Sequence, residues 1–101
     1  MTEDIQTPPM GEAARREAGF LVGRLQEGVS LGMPQARPMP CIGSRCLELR
    51  VRDENVTWRV MCRVDPDAVL VIHSFAKKTE ATPQDVIRLC RRRLAAYDAT
   101  A

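Results

Sequence analysis

The sequence predicts an α+β domain in which an N-terminal helix packs on a small antiparallel β-meander that is followed by a C-terminal helix. Three observations predict it. Apolar residues recur at helical spacing near both ends of the chain, three strand-like runs lie between them, and the turns joining those runs are short. Short turns join antiparallel strands, because parallel strands need long crossovers. At 101 residues, with 45% apolar and 28% charged residues, the chain resembles one globular domain.

We assign residues 1–10 to a tail or edge segment and residues 11–98 to a single domain. The opening MTEDIQTPPM is acidic and proline-rich, whereas a signal peptide needs positive charge followed by an apolar stretch. No apolar run is long enough to cross a bilayer. We therefore expect a cytoplasmic protein that makes no membrane contact.

The cysteine pattern points away from a metal site. Cys41, Cys46, Cys62 and Cys90 do not fall into Cys-x-x-Cys or zinc-ribbon spacing, and a His-rich site is excluded because the chain has one histidine. We expect reduced thiols, with Cys62 and Cys90 as apolar filler, and no metal or other cofactor.

The N-terminal helix is predicted over residues 11–27, where five apolar residues form one stripe and Gly28 ends it. The stripe consists of Ala14, Ala18, Leu21, Val22 and Leu25. Phe20 lies off this stripe, so it either packs on a second element or awaits a partner, and we favour packing. Residues 28–44 hold three prolines and three glycines, which predicts a long loop without a regular element.

Three strands are predicted next. CLELRVR (46–52) and TWRVMCRV (57–64) alternate apolar and polar residues, and AVLVIHSF (68–75) is apolar on both faces, as in a covered strand. The C-terminal helix begins at TPQD, where Thr82 suits the N-cap, Pro83 the first helical position and Asp85 a capping box. Its apolar stripe is Val86, Ile87, Cys90, Leu94 and Tyr97.

Positive charge collects in the second part of the chain. Residues 45–101 carry eleven basic and eight acidic side chains, against four and five in residues 1–44. If the first hairpin turns on Glu54–Asn55, Arg50 and Arg59 become direct cross-strand neighbours and Arg52 lies diagonal to Arg59. Opposed like charges destabilise a sheet unless an anion relieves them. Solvent screening, or neutralisation by Glu48, is the alternative.

Four further basic side chains are candidates for the same site. Lys77 and Lys78 are the only lysines among fifteen basic residues, and they follow the third strand directly, where they could hold a phosphate, act in catalysis or form a solvated turn. A three-residue second turn would set His73 opposite Arg59, whereas a four-residue turn would set Ser74 there. Arg93 lies inside the last apolar stripe, and it either lays its stem on the core or reaches into a functional cleft.

In its motifs the chain resembles the phage-derived HigB-like toxins of the RelE/ParE toxin–antitoxin superfamily. The most specific pieces are RPMP with a following Ile-Gly, ELRVRD, WRV with Arg63 beyond it, and FAKKTEATP, and the resemblance covers roughly residues 8–98. It implies a RelE-like fold and a helix-turn-helix antitoxin as partner. It also implies cleavage of mRNA on the ribosome, which inhibits translation. Met61 and Cys62 stand where such toxins often carry Tyr.

Carried over from that resemblance, the catalytic positions are Arg50, Arg59, Lys77 and Lys78. Arginines suit the developing phosphorane charge, and a lysine crowded by arginines suits proton transfer. We expect RNA or phosphate contacts from Arg52, Arg63, His73 and Arg93. A non-enzymatic poison of a protein target such as gyrase, and an inactive antitoxin-binding module, are the alternatives.

Overall fold

The structure, a computed structural model, describes residues 10–54, 56–77 and 81–100, except for the side chain of Lys77. Within these residues, one helix precedes a four-stranded sheet along the chain and a second helix follows it, which confirms the predicted α+β class. The elements are α1 (Glu12–Gln26), β1 (Ala36–Pro38), β2 (Cys46–Arg52), β3 (Thr57–Val64), β4 (Val69–Lys77) and α2 (Gln84–Thr100). Neighbouring strands are antiparallel in the order β1-β2-β3-β4. The expected segment 1–10 lies outside the described residues except for Met10.

Strand β1 is the element that the sequence did not predict. The expectation of no regular structure between residues 28 and 44 is wrong at Ala36–Pro38, where Ala36 pairs with Leu49 and Pro38 with Leu47. The strand has three residues and lies at the sheet edge, the position that tolerates a proline because its missing N–H has no partner to bond.

Each face of the sheet carries one helix. The stripe of α1 packs with Leu49, Val51, Trp58 and Val60 on one face. On the other face, Ile87, Cys90 and Leu94 of α2 pack with Cys46, Met61 and Ile72. A helix therefore covers part of each face of the sheet. Met61, which alternation places on the polar face of β3, is fully buried. Each fully buried large apolar side chain contributes about 1.5–3 kcal/mol to stability.

Helix α1 forms as its apolar stripe predicts. Ala14, Leu21 and Leu25 are buried, and Gly28 follows the helix with φ of 87°, a left-handed conformation that glycine adopts without strain. The expectation that Phe20 packs on a second element is wrong. Its ring is 58% exposed and lies 5.6 Å from the guanidinium carbon of Arg24, one turn further along the same helix.

Asp53 ties the start of α1 to the first hairpin. Its carboxylate accepts hydrogen bonds from the backbone N–H of Gly11 at 2.8 Å and from Trp58 Nε1 at 3.1 Å. The Gly11 N–H is the largest reason why the pKa of Asp53 lies below its usual range. A Cβ at position 11 would approach Asp53 Oδ1 to 3.0 Å, so a side chain there would crowd this bond.

Helix α2 begins slightly later than predicted. Its first helical residue is Gln84, and the N–H groups of Val86 and Ile87 donate to the Pro83 carbonyl. The Asp85 carboxylate accepts from the N–H of Val86 at 2.9 Å. The hydroxyl of Thr82, the expected N-cap, donates to Glu48 on β2 at 3.0 Å. Thr82 therefore connects the helix start to the sheet. No helix among the described residues has the length and apolar character to span a membrane.

The strand registers settle the two turns. In the first hairpin Arg52 pairs with Thr57 and Arg50 with Arg59, as predicted. In the second, Val64 pairs with Val69, which leaves a four-residue loop. Further along, β4 carries one extra residue, Ile72, opposite the Met61–Cys62 step of β3, and this β-bulge shifts the pairing by one residue. The four-residue turn is therefore correct, but neither predicted neighbour of Arg59 is, because Phe75 lies opposite Arg59 and His73 opposite Met61.

Candidate functional site

The candidate site lies on the α2 side of the sheet, where β2 and β3 carry arginines in adjacent rows. Arg50 and Arg59 are paired directly across the two strands, and Arg52 lies in the next row, opposite Thr57. Residues opposite each other in an antiparallel pair project to the same face. The sheet therefore places two guanidinium groups side by side and a third beside them.

Glu48 is the acidic partner of this pair. Its side chain is fully buried, and its Oε1 atom lies 3.7 Å from Arg50 Nε and 3.7 Å from Arg59 Nη1. Both distances suit an ion pair but exceed the length of a hydrogen bond. One carboxylate thus offsets part of the charge of two guanidinium groups, and the three side chains together carry one net positive charge.

Some N–H donors of the arginine pair form no hydrogen bond with any described residue. Arg59 is 7% exposed, and its Nε and Nη1 atoms are buried without a hydrogen-bond partner among the described residues, as is Arg50 Nε. Buried polar atoms in native proteins are nearly always bonded, and an unsatisfied one costs about 1–3 kcal/mol. Such donors, held by a fold, are typical of a site that an oxyanion completes.

A cleft opens beside this pair. It has a volume of about 620 Å³, and its walls come from α1, the segment before β1, and the arginine rows of β2 and β3. The lining residues are Ala13, Glu17, Pro34, Gln35, Arg50, Arg52, Thr57 and Arg59. The N–H of Arg50 donates to the Gln35 carbonyl at 2.8 Å, which joins this wall to β2. The cleft is large enough for a small ligand or part of a polymer.

Lys77 is the last residue of β4, and its backbone pairs with Thr57, a residue of the cleft wall. Lys77 therefore lies in the same cross-strand row as Arg52, with Thr57 of β3 between them. Lys78 falls outside the described residues, and so does the Lys77 side chain. Their predicted catalytic roles stay predictions.

His73 and Arg93 form a separate contact on β4. The His73 ring stacks on Phe75 with centroids 5.6 Å apart, and Arg93 Nη1 lies 3.3 Å from His73 Nδ1. The same Nη1 donates to the Ile72 carbonyl at 2.8 Å, beside the bulge. Arg93 thus connects the bulged part of β4 to α2. His73 lies two residues before Phe75 on the same strand and pairs with Met61 of β3.

Arg63 lies apart from the arginine pair and is engaged by carboxylates. It donates from Nε to Asp65 at 2.7 Å and from Nη2 to Asp98, near the end of α2, at 2.8 Å. These bonds raise the pKa of Arg63 and are the largest reason why the pKa values of Asp65 and Asp98 lie below their usual range. The arrangement ties β3 to the C-terminal part of α2.

The thiols are free and mostly buried. Cys41 is exposed, whereas Cys46, Cys62 and Cys90 are buried. Burial raises the pKa of Cys62 to about 12 and that of Cys90 to about 11, so both stay protonated at neutral pH. Among the described residues, no group of three or more His, Cys, Asp or Glu side chains is placed to hold a metal ion.

Sequence reasoning found the arginines but missed the depth at which Glu48 and Arg59 lie. Alternation predicts that Glu48 lies on a solvated face, so the sequence indicates only that its charge could neutralise the arginine pair. The signal that could have revealed its burial is the apolar stripe of α2, which needs a sheet face to cover. Gln35 and Glu17, also on the cleft wall, carry no sequence signal of their own.

Comparison with known proteins places the chain among phage-derived sequences. The family model described as phage-derived protein Gp49-like (DUF891) matches residues 9–95. This family is associated with the RelE-like toxins of toxin–antitoxin systems, in line with the resemblance of the motifs. Neither the curated proteins nor the solved structures contain a significant match to the chain.

Proposed function

The chain belongs to the Gp49-like family of phage-derived proteins, and we propose that it is a toxin that cuts mRNA on the ribosome. The observation that carries this proposal is the Arg50–Arg59 pair, whose buried N–H donors lack hydrogen-bond partners among the described residues and stand beside an open cleft. A phosphodiester supplies the oxygen acceptors and the single negative charge that such a pair suits.

The cleavage step uses these groups as follows. The 2′-oxygen of a ribose loses its proton and attacks the adjacent phosphorus, and the bond from phosphorus to the 5′-oxygen breaks as that oxygen gains a proton. Negative charge grows on the phosphate oxygens in the transition state. Arg50 and Arg59 stabilise that charge, and Arg52 holds the neighbouring backbone.

Proton transfer is assigned to Lys77 and Lys78. Neighbouring positive charge favours the neutral form of a lysine, which lets one amine accept a proton while another ammonium donates one. The pairing of Lys77 with Thr57 supports this assignment, because it brings the end of β4 to the cleft wall. His73 is the reserve candidate for either proton.

The family association also suggests an antitoxin as partner, and we propose a helix-turn-helix protein in that role. A non-enzymatic poison would be favoured by an exposed apolar stripe on the last helix. Here Ile87, Cys90 and Leu94 are buried against the sheet, so that feature gives no support to a gyrase-type target.

The decisive experiment expresses the chain from a tightly repressed promoter and maps transcript 5′ ends within minutes of induction. The test variant is Lys77→Ala with Lys78→Ala, and the control is Lys77→Arg with Lys78→Arg, which keeps both charges but removes both titrating amines. We expect new ends within translated regions for the wild type and loss of cleavage in both variants.

Each other outcome has a distinct meaning. Growth arrest with intact transcripts would contradict the nuclease and direct attention to a protein target. Cleavage that persists in the arginine control but not in the alanine variant would assign the lysines to phosphate binding alone. Absence of arrest in the wild type would indicate an inactive binding module.

A further inference from the structure

The Glu48 carboxylate raises a question that the proposed function leaves open, namely why a buried acid lies beside arginines that are to bind an anion. A buried carboxylate is costly unless it is paired, and Glu48 is fully buried beside two guanidinium groups. The two arginines in turn repel each other across the strands. Each side of this arrangement therefore needs the other in the free protein.

The distances show how the carboxylate acts. At 3.7 Å from Arg50 Nε and from Arg59 Nη1, Glu48 Oε1 supplies charge without a direct hydrogen bond to either atom. Those donors stay without a hydrogen-bond partner within the described part of the chain. The charges sum to one positive unit, which a single phosphodiester would neutralise.

We propose that Glu48 is an internal counter-ion that holds Arg50 and Arg59 together in the free protein and stands in for the charge of a bound phosphate. It is a positioning residue, because it acts through the two arginines. The inference rests on the proposed function in taking an RNA phosphate as the natural ligand. Its consequence is that phosphate and the Glu48 charge can replace each other.

Thr82 gives the counter-ion a second anchor. Its hydroxyl donates to Glu48 Oε2 at 3.0 Å, so the carboxylate is held from the start of α2 as well as by its own strand. The orientation of Glu48 thus depends on the docking of α2, whereas its charge does not. This difference provides a matched pair of variants.

The test measures thermal stability in inorganic phosphate against chloride at equal ionic strength. Glu48→Gln removes the charge with little change of shape, and we expect its Tm to fall by about 5 °C or more in chloride and to recover saturably with phosphate. Its affinity for phosphate should exceed that of the wild type at least about tenfold, because the competing charge is gone.

Two controls separate charge from other effects. Glu12→Gln makes the same charge change at an exposed helix position and should show no response specific to phosphate. Thr82→Val keeps the Glu48 charge but removes its hydroxyl donor, and it should lower Tm without recovery in phosphate.

A double variant tests the same role if Glu48→Gln does not fold. Glu48→Gln with Arg59→Gln removes one charge of each sign, and it should be more stable in chloride than Glu48→Gln and largely insensitive to phosphate. A double variant no more stable than the single one, or a single variant whose loss phosphate does not reverse, would overturn the counter-ion role.

The ribosome assay keeps the two proposals distinguishable. A wild type that cuts no mRNA, combined with phosphate rescue of Glu48→Gln, would remove the nuclease and leave an anion site. Cleavage by the wild type without phosphate rescue would remove the counter-ion and leave the nuclease.

Discussion

Strand β3 carries two arginines, Arg59 and Arg63, that face the same side of the sheet four residues apart and have opposite surroundings. Arg63 meets two carboxylates at 2.7–3.0 Å and closes a contact between β3 and the C-terminal part of α2. Arg59 shares one carboxylate with Arg50 at 3.7 Å, and two of its buried nitrogen atoms have no hydrogen-bond partner among the described residues.

The difference teaches that an arginine's surroundings, and not its position in a strand pattern, indicate its role. A guanidinium whose donors are all directed at carboxylates stabilises the fold and has little capacity left for a ligand. A buried guanidinium with free donors is costly to the fold and available to an anion. This contrast yields predictions that run from catalysis to small changes in salt dependence.

The largest effect is expected in cleavage. Arg59→Gln should lower kcat/KM for ribosome-bound mRNA by about 100-fold or more, the usual loss when one donor to a developing oxyanion is removed. Arg63→Gln is the matched control, with the same change on the same strand, and its activity per folded molecule should stay close to that of the wild type. Equal losses in the two variants would contradict the distinction between the arginines.

Stability, in contrast to cleavage, should depend more on Arg63 than on Arg59. Arg63→Gln removes the bonds to Asp65 and Asp98, so we expect its Tm to fall by about 5 °C and α2 to open more often. Alkylation of Cys90, which lies on α2 and is buried against the sheet, reports that opening. A faster Cys90 reaction in Arg59→Gln than in Arg63→Gln would show that the helix is held elsewhere.

Acid should weaken the contact of Arg63 with Asp65 and Asp98. The pKa values of Asp65 and Asp98 are lowered in the folded protein, chiefly by Arg63, so the unfolded chain binds more protons as the pH falls through the usual carboxylate range. Their stabilisation is present above that range and is lost below about pH 4.

Urea unfolding between pH 2 and 7 measures this dependence. We expect Asp98→Asn to make stability vary less with pH than in the wild type, and Arg63→Gln to reduce the variation further. Arg52→Gln should keep the wild-type profile, since Arg52 is exposed and no bond from it to either aspartate is present among the described residues. An unchanged profile in Arg63→Gln would contradict the assigned cause.

The smallest effect concerns Arg52, which is exposed in the row beside the pair. Arg52→Gln should weaken binding of single-stranded RNA several-fold at low salt and reduce the slope of log affinity against log salt by about 0.7, the value for one phosphate contact. Arg92→Gln removes an exposed arginine from α2 and serves as control. A slope unchanged by Arg52→Gln would remove this residue from the interface.

The sequence predicted the parts of this site that depend on short-range patterns. The first hairpin was placed correctly because strict alternation on both strands and a short turn leave one register that buries the apolar face. Helix α1 and its end at Gly28 follow from the spacing of small and branched residues. These features require no knowledge of what covers the sheet.

The remaining features depend on tertiary contacts. Alternation marked the Glu48 and Arg59 side as polar, yet α2 covers part of it, so a carboxylate and a guanidinium are buried together. The Phe20 ring was expected to pack because large apolar residues usually do, and it is exposed beside Arg24. Strand β1 was missed because its three residues include a proline and lie in a loop-like composition.

The bulge at Ile72 shifts the alternation of side chains along β4 by one residue. Counted from the four-residue loop alone, Ala76 would stand opposite Thr57 and every later residue would fall on the wrong face. The extra residue in the bulge changes which residues face each other, so that Phe75 pairs with Arg59 and Lys77 pairs with Thr57. Deletion of Ile72 alone should therefore keep both pairings, because His73 would then follow Val71 directly and pair with Met61 as it does now.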